Sequence, residues 1–257
     1  MEEAAVTFTE VSKVYPGEVK ALDRISLRIP RGEWVAVMGP SGSGKTTFLN
    51  LLDGLDRPTS GQVRLLGTNI AGLAPAEAAV FRRENIGLVF QQFYLIPYLT
   101  VLENVMLAQY FHSMVDEGQA RDMLESMGMG HRATHLPSQL SGGEQQRACI
   151  ARALVNDPGI ILADEPTGNL DEANEEKVFE IFRELHRGGK TIIVVTHDRV
   201  LGSLAQRRIV LNHGRIAEDR LPGPDDPVIR ARKEPQAVSN DEERHPHVRS
   251  NAHPKGD

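Results

Sequence analysis

The sequence is poor in several residue types and patterns, and each shortage excludes a class of protein. Cys149 is the single cysteine, which rules out an internal disulfide and suits a reducing compartment. Acidic residues outnumber basic ones by 35 to 29, so the chain lacks the general positive field of a typical nucleic-acid binder. No apolar run approaches the ~20 residues that span a bilayer, and the first ten residues contain no charged-then-apolar signal segment. We therefore expect a soluble, cytoplasmic polypeptide that does not bind nucleic acid.

Alternating apolar and amphipathic segments predict the fold class. Short apolar runs rich in β-branched residues predict buried strands at residues 34–38, 86–90, 159–163 and 191–195. Helical patterns follow three of them, at residues 46–52, at residues 172–186 and shortly after His197. Segments 5–15 and 19–30 alternate apolar and polar residues, which favours antiparallel strands. We predict an α/β fold with a mostly parallel core and an N-terminal antiparallel β subdomain.

The sequence pattern changes twice later in the chain. Helical patterns dominate residues 92–154, with candidate helices at 100–111 and 117–129, which predicts a helical subdomain inserted into the α/β core. From residue 221 onward the composition is rich in proline and charge, with six of the 15 prolines, and too poor in apolar residues to offset the entropy of ordering. We expect one folded domain over residues 4–220 and a disordered tail at 221–257.

The stretch "GPSGSGKT" directly follows an apolar strand and opens a helix, as the G-x-x-x-x-G-K-[ST] phosphate loop requires. Glycines allow backbone N–H groups to turn inward around phosphate oxygens, and the helix N-terminus adds partial positive charge. Lys45 is expected to reach the β- and γ-phosphates, and the Thr46 hydroxyl to bind Mg²⁺. We predict nucleotide contacts from Gly39, Pro40, Ser41, Gly42, Ser43, Gly44, Lys45, Thr46 and Thr47.

Two adjacent carboxylates end the buried strand predicted at residues 159–163, in "IILADEPTGNLD". Such a pair is costly unless a cation lies beside it. We expect Asp164 to hold Mg²⁺ and Glu165 to activate a water molecule against the γ-phosphate as general base. The alternative is a solvated strand end.

Two further polar residues follow apolar strands. His197 in "VVTHD" ends a core strand at the edge where α/β folds place their ligands, so we expect a contact with the γ-phosphate. Gln91 after "IGLVF" has the same placement and is expected to orient water or to contact Mg²⁺.

The stretch "SQLSGGEQQRACIARAL" places a second anion-binding helix start in the chain. A capping box between Ser141 and Glu144 is the alternative interpretation, and it accounts for the serine and the glutamate. It does not account for Gly142 and Gly143, because each glycine weakens a helix start by roughly 1 kcal/mol unless close backbone approach is needed. A phosphate enclosed by its own loop has no room for this second grip, so we expect Ser141, Gly142 and Gly143 to close over the nucleotide of another copy.

Taken in order, the phosphate loop, "VFQQ", "LSGGEQQR", "ILADEPTGNLD" and "VVTHD" resemble the ATP-binding subunit of an ABC transporter over residues 4–220. The resemblance implies a RecA-like P-loop NTPase core with an inserted helical signature subdomain. It also implies a head-to-tail dimer that encloses two ATP with Mg²⁺, and an integral membrane permease that holds the subunit at the inner face of the membrane. Tyr15 would stack on adenine, Gln91 would sense the membrane partner and Asp171 would lie at the dimer interface. Tyr15 could equally be a packed strand residue.

The motifs also resemble one branch of that family, which serves lipoprotein release, macrolide or peptide export, and the related cell-division complex. A regulatory ATPase that signals to a membrane protein without transport stays open as an alternative. An ATPase acting on DNA or ribosomes is disfavoured because the chain has neither a long coiled-coil insertion nor a second cassette. The apolar segment 93–105 is expected either to contact the permease or to pack within the helical subdomain.

Overall fold

The computed structural model describes residues 3–221, so the disorder predicted for the tail falls outside the described residues. In chain order the strands are β1 (Ala4–Tyr15), β2 (Val19–Pro30), β3 (Trp34–Met38), β4 (Ser60–Leu65), β5 (Thr68–Asn69), β6 (Ile86–Val89), β7 (Ile160–Asp164), β8 (Thr191–Val195), β9 (Arg207–Asn212) and β10 (Arg215–Arg220). The α-helices are α1 (Lys45–Leu52), α2 (Pro75–Asn85), α3 (Val101–His112), α4 (Glu117–Ser126), α5 (Gly142–Leu154), α6 (Glu172–Arg187) and α7 (Arg199–Leu204).

The N-terminal strands form an antiparallel sheet of order β2-β1-β4-β5, which confirms the antiparallel prediction for the first two. Alternation along β1 buries Val6 and Phe8 on one face, and an irregularity at Glu10, where φ is 49°, brings Val11 into the same core. The ring of Phe8 stacks on Phe48 of α1 at a centroid distance of 4.8 Å. The sheet therefore packs directly against the helix that follows the phosphate loop.

The second sheet has the order β10-β9-β3-β8-β7-β6 and is parallel except for β10. The four strands predicted from apolar runs are β3, β8, β7 and β6, which lie side by side in this sheet. One face packs with α1 against the N-terminal sheet, and the other packs against α5, α6 and α7. Because both faces are covered, β3 and β8 are apolar almost throughout.

Helices α3, α4 and α5 enclose a third core, which includes Val105, Leu124, Met129 and Ala148. Helix α5 also contributes Ile150 and Leu154 to the core of the large sheet, so it joins the two parts of the molecule. Helix α4 ends three residues before the predicted end, since the chain turns at 127–128 with a positive φ of 65° at the glycine. No described helix is long and apolar enough to cross a membrane.

Candidate active site

The predicted site residues lie at one edge of the large sheet. Strands β3, β8, β7 and β6 are neighbours, and all four run parallel. Their carboxyl ends lead into the phosphate loop, the Thr196–His197 pair, the Asp164–Glu165 pair and Gln91, respectively. The sheet thus brings together residues that are more than a hundred positions apart in sequence, at the edge where parallel α/β sheets bind ligands.

The phosphate loop requires glycine at positions where the backbone is left-handed and crowded. Gly39 and Gly44 have φ values of 150° and 104°. A side chain at Gly39 would overlap the carbonyl of Leu211, and one at Gly44 would overlap the carbonyl of Ala21. Helix α1 starts directly after Gly44 without a side-chain cap, so its first N–H groups are available to an anion.

Within the loop, Lys45 folds back over the backbone. Its Nζ donates to the carbonyls of Gly39 at 2.8 Å and Pro40 at 3.0 Å. Phosphate oxygens are stronger, charged acceptors for the same ammonium group. Thr46 is exposed beside it, whereas Ser43 is buried, with its hydroxyl unpartnered among the described residues.

Asp164 is a half-buried carboxylate whose negative charge a cation would stabilise. Burial raises its pKa above the ordinary value and the charge of Glu165 raises it further, while Lys45 acts in the opposite direction. Within residues 3–221 no group of three or more His, Cys, Asp or Glu side chains could hold a metal ion by itself. A carboxylate, a threonine hydroxyl and a glutamine, completed by substrate phosphates, fit the preferences of Mg²⁺ rather than those of a closed protein cage.

Glu165 is held in one orientation by the end of β8. Its carboxylate accepts hydrogen bonds from the Thr196 hydroxyl at 3.0 Å, from the His197 N–H at 3.1 Å and from His197 Nδ1 at 2.8 Å. Its φ is 45°, a conformation that is uncommon for a residue with a side chain and clusters at functional sites. The imidazole of His197 is largely exposed, so its other nitrogen faces outward.

Thr196 belongs to this arrangement although the sequence analysis did not single it out. Its side chain is fully buried, and its hydroxyl donates to Glu165 and accepts from the Asp198 N–H at 3.0 Å. The signal was a hydroxyl residue between an apolar strand and the predicted histidine.

Gln91 lies against the segment that follows Glu165. Its carbonyl accepts a hydrogen bond from Asn169 Nδ2 at 3.1 Å, and its amide lies close to Gly168. This places Gln91 beside the 165–171 segment. Its expected contacts with Mg²⁺ and with a membrane partner stay predictions.

The helix start at Ser141 contains the capping box that was the alternative interpretation. The Ser141 hydroxyl accepts from the Glu144 N–H at 3.3 Å, and Glu144 accepts from the Ser141 N–H at 2.8 Å. That backbone hydrogen bond, with others from the Ser141 hydroxyl and Arg132, lowers the pKa of Glu144 to about 2. The side chain of Ser141 nevertheless stays exposed to solvent.

The two glycines of this helix start have different explanations. A side chain at Gly143 would overlap Asn174 of α6, so close internal packing requires this glycine. A side chain at Gly142 would meet only ordinary contacts, 3.7 Å from Asn169 O and 3.8 Å from Phe93 Cζ. The argument for backbone approach by an outside group therefore depends on Gly142 alone.

Asp171 and Tyr15 both have contacts within the chain. Asp171 caps α6, accepting from the N–H and the side-chain amide of Asn174 at 2.9 Å each. Tyr15 ends β1 half-buried, and its hydroxyl donates to Asp56 Oδ2 at 2.7 Å. A role for Asp171 in a dimer and for Tyr15 at adenine stay predictions.

Comparison with known proteins finds the ABC transporter family over residues 22–168. The macrolide export ATP-binding/permease protein MacB of Rhodopirellula baltica is 47% identical over 211 residues, which cover 79% of this chain and 30% of that protein. The lipoprotein-releasing system ATP-binding protein LolD of Xanthomonas euvesicatoria pv. vesicatoria is 47% identical over 200 residues, which cover 76% of this chain and 82% of that protein. The chain thus spans about a third of the MacB relatives and most of the LolD relative.

Among solved structures, the dimeric post-hydrolysis state of the ATP-binding cassette MJ0796 bound to ADP and Pi matches with a TM-score of 0.79 and 42% identity, covering 85% of this chain and 99% of that chain. The cbiO1 structure from Clostridium perfringens matches with a TM-score of 0.78 at 27% identity. The family match includes the phosphate loop, Gln91, Ser141–Gly143 and the Asp164–Glu165 pair. It leaves Tyr15, Asp171 and His197 outside.

Proposed function

The chain belongs to the ABC transporter family as one of its ATPase cassettes, and from that premise we propose that two copies close head to tail over two Mg²⁺-ATP and do work on an integral membrane permease. The observation that carries the proposal is the helix start at Ser141 and Gly142. Ser141 is exposed, and position 142 is a glycine although the same chain leaves room for a side chain there. A triphosphate held by a second copy is the group that uses both features.

In each copy, the phosphate loop and neighbouring residues would supply the contacts to the phosphates and to Mg²⁺. The N–H groups of the loop and of α1 bind the phosphates, and Lys45 exchanges the carbonyls of Gly39 and Pro40 for phosphate oxygens. Thr46, Asp164 and Gln91 would hold Mg²⁺, which would supply positive charge against the phosphates. Burial and the charge of Glu165 raise the pKa of Asp164, and a cation bound there would lower it.

Hydrolysis to ADP and phosphate would use Glu165, which residues at the end of β8 hold in place. Glu165 is the general base for the attacking water, a role that supplies typically ~10²- to 10⁴-fold in rate. Nδ1 of His197 contacts the Glu165 carboxylate at 2.8 Å, which leaves the other ring nitrogen for the proposed contact with the γ-phosphate. The partner's Ser141–Gly142 helix start completes the stabilising shell, because phosphoryl transfer depends on positioning and electrostatics.

The membrane partner has a candidate surface on the helical side. In segment 93–105, Val101, Leu102 and Val105 are buried in the third core, whereas Tyr94 and Tyr98 are 61% and 78% exposed. Arg152 and Cys149 bind the carbonyls of residues 93 and 94, so this loop is rigidly anchored.

Tyr94 contacts the lining of a cleft of about 410 Å³ between α2, β6, α3 and α5, because its ring lies 5.5 Å from that of Phe90 and its carbonyl accepts a hydrogen bond from Arg152. Phe111 at its rim is 64% exposed. Exposed aromatic side chains beside a groove are typical of a protein interface. We propose that a permease segment docks here, which holds the cassette at the inner face of the membrane.

The nature of the transported substrate follows only from the relatives. Their names concern macrolide export and lipoprotein release, so we propose that this cassette serves a permease of that branch. Copurified permease in vesicles discriminates transport from signalling, since a purely regulatory cassette hydrolyses ATP without moving cargo.

The test of the head-to-tail dimer uses Glu165→Gln, which removes the carboxylate base and keeps the size and shape of the side chain without its charge. Size measurement in Mg²⁺-ATP is expected to show a dimer for this variant and a monomer once Ser141→Arg is added. Ser113→Arg, a change at another exposed serine of the helical region, is the matched control and should leave the dimer intact. A Glu165→Gln variant that binds ATP but stays monomeric at high concentration, alone and with permease, contradicts the proposal.

A further inference from the structure

The end of β1 carries a three-residue cluster that the nucleotide chemistry above does not use. Asp56 accepts from the Tyr15 hydroxyl at 2.7 Å through one carboxylate oxygen and from Lys13 Nζ at 2.5 Å through the other. The same ammonium group lies over the Tyr15 ring, 4.8 Å from its centroid. Lys13 and Asp56 are mostly buried, at 13% and 26% side-chain exposure, so solvent screens this pair less than a surface pair.

Asp56 is itself tied to the phosphate-binding element. It lies in the loop after α1, and its N–H donates to the carbonyl of Asn50 in that helix at 3.1 Å. Lys13 Nζ also donates to the carbonyl of Arg57 at 2.9 Å. Although burial raises the pKa of Asp56, the hydrogen bonds from Lys13, Tyr15 and the Arg57 N–H hold it below the ordinary value. The carboxylate is therefore an ionised anchor at neutral pH.

Three consequences follow for the tyrosine ring. The hydrogen bond at its hydroxyl fixes the long axis of the ring, and Lys13 over one face opposes rotation about that axis. Lys13 covers one face, so a planar group can stack only on the other face. Because Asp56 follows α1, the ring is positioned relative to the helix whose N-terminus grips the phosphates.

We propose that Asp56 and Lys13 are positioning residues for Tyr15, presenting one face of its ring to the adenine base at a fixed distance from the phosphate loop. This inference rests on the proposed function, since it requires that the chain bind ATP. Neither residue touches the nucleotide. Their role is to order the ring before binding, so that binding does not have to immobilise it.

The experiment measures equilibrium binding of ATP and of inorganic tripolyphosphate, which lacks the base, to the full chain. Tyr15→Phe removes the hydroxyl and keeps the ring, and Asp56→Asn removes the charged acceptor. Each is expected to weaken ATP binding about two- to tenfold, the effect of immobilising one side chain on binding. Lys13→Met is expected to act in the same direction. Tripolyphosphate affinity should not change.

The double variant Tyr15→Phe/Asp56→Asn should be no weaker than the weaker single variant, because both remove the same anchor. Asp122→Asn and Lys177→Met, at exposed positions on α4 and α6, are the matched controls. If Asp56→Asn does not fold, Tyr15→Phe and Lys13→Met still decide the question.

Three results would overturn the inference. Unchanged ATP affinity shows that the anchor is not used, and additive effects show that the residues act separately. A parallel loss of tripolyphosphate affinity shows that Asp56 only braces α1. Failure of the proposed function is distinct, because the wild-type chain would then neither bind nor hydrolyse Mg²⁺-ATP.

Discussion

Thr196→Val tests whether Glu165, the proposed general base, depends on its buried neighbour. The substitution removes a hydroxyl and adds a methyl group of similar size at a fully buried site. The Glu165 carboxylate loses the donor at 3.0 Å and keeps only its hydrogen bonds from His197. The Asp198 N–H loses its acceptor at 3.0 Å.

The expected magnitude follows from these two bonds. A hydrogen bond to a charged group contributes about 1.5–3 kcal/mol, and about 1.4 kcal/mol corresponds to a tenfold change in rate. If the orientation of Glu165 matters mainly in the transition state, kcat should fall about 10- to 100-fold while ATP affinity stays within about twofold. The unpaired N–H should cost about 1–3 kcal/mol of unfolding free energy.

The assay compares kcat, KM and ATP binding for wild type, Thr196→Val and Thr196→Ser, with urea unfolding for stability. Thr196→Ser retains the hydroxyl and should recover most of kcat. Loss of ATP affinity in proportion to kcat would refute the positioning argument, as would a Thr196→Val variant that is folded and hydrolyses ATP at the wild-type rate. The first result would mean that Thr196 supports nucleotide binding, and the second that His197 alone orients the carboxylate.

Three further predictions concern other groups. Gly143→Ala should lose about 1–3 kcal/mol of unfolding free energy by overlap with Asn174, whereas Gly142→Ala should keep its stability in urea and lose ATP-dependent dimerisation. Burial raises the pKa of Asp53 to about 6. Because Asp53 ionises at lower pH in the unfolded chain, the free energy of unfolding should fall as pH rises from about 4 to above 6. Asp53→Asn should remove that decline, as measured in urea titrations. Asp164→Asn should bind ATP in EDTA like wild type but lose the increase in affinity that Mg²⁺ gives, measured by titration calorimetry.

The central strands could be predicted from sequence because burial on both faces leaves an unbroken apolar run. Strand β9 escaped prediction because it begins with two arginines. In the folded chain Arg207 pairs with Asp219 at 2.6 Å and with Glu33 at 3.3 Å, so its charge is neutralised by residues that are distant in sequence. Helix α2 escaped because it buries none of its residues and shows no apolar stripe. Its start signals, Pro75 and the Glu77 cap of the preceding N–H, were present.

The candidate site was predictable where a motif has a fixed spacing and a fixed place at a strand end. The phosphate loop, Asp164, Glu165 and His197 all meet that condition, and the sheet order brings them together. Supporting residues were not predictable in the same way. The contact of Tyr15 with Asp56 spans 41 residues and has no spacing rule that a single sequence could reveal.

The structure also changes the reason for expecting a two-chain site. Two glycines at the α5 start suggested backbone approach by phosphate, but one of them is fully explained by the side chain of Asn174 within the same chain. The capping box likewise gives Ser141 and Glu144 an internal purpose. What remains unexplained by the single chain is Gly142, next to an exposed serine, on a helix whose dipole points its positive end toward solvent. Because an internal cap and an external phosphate can use different N–H groups of one helix start, the capping box and the second grip are compatible rather than competing.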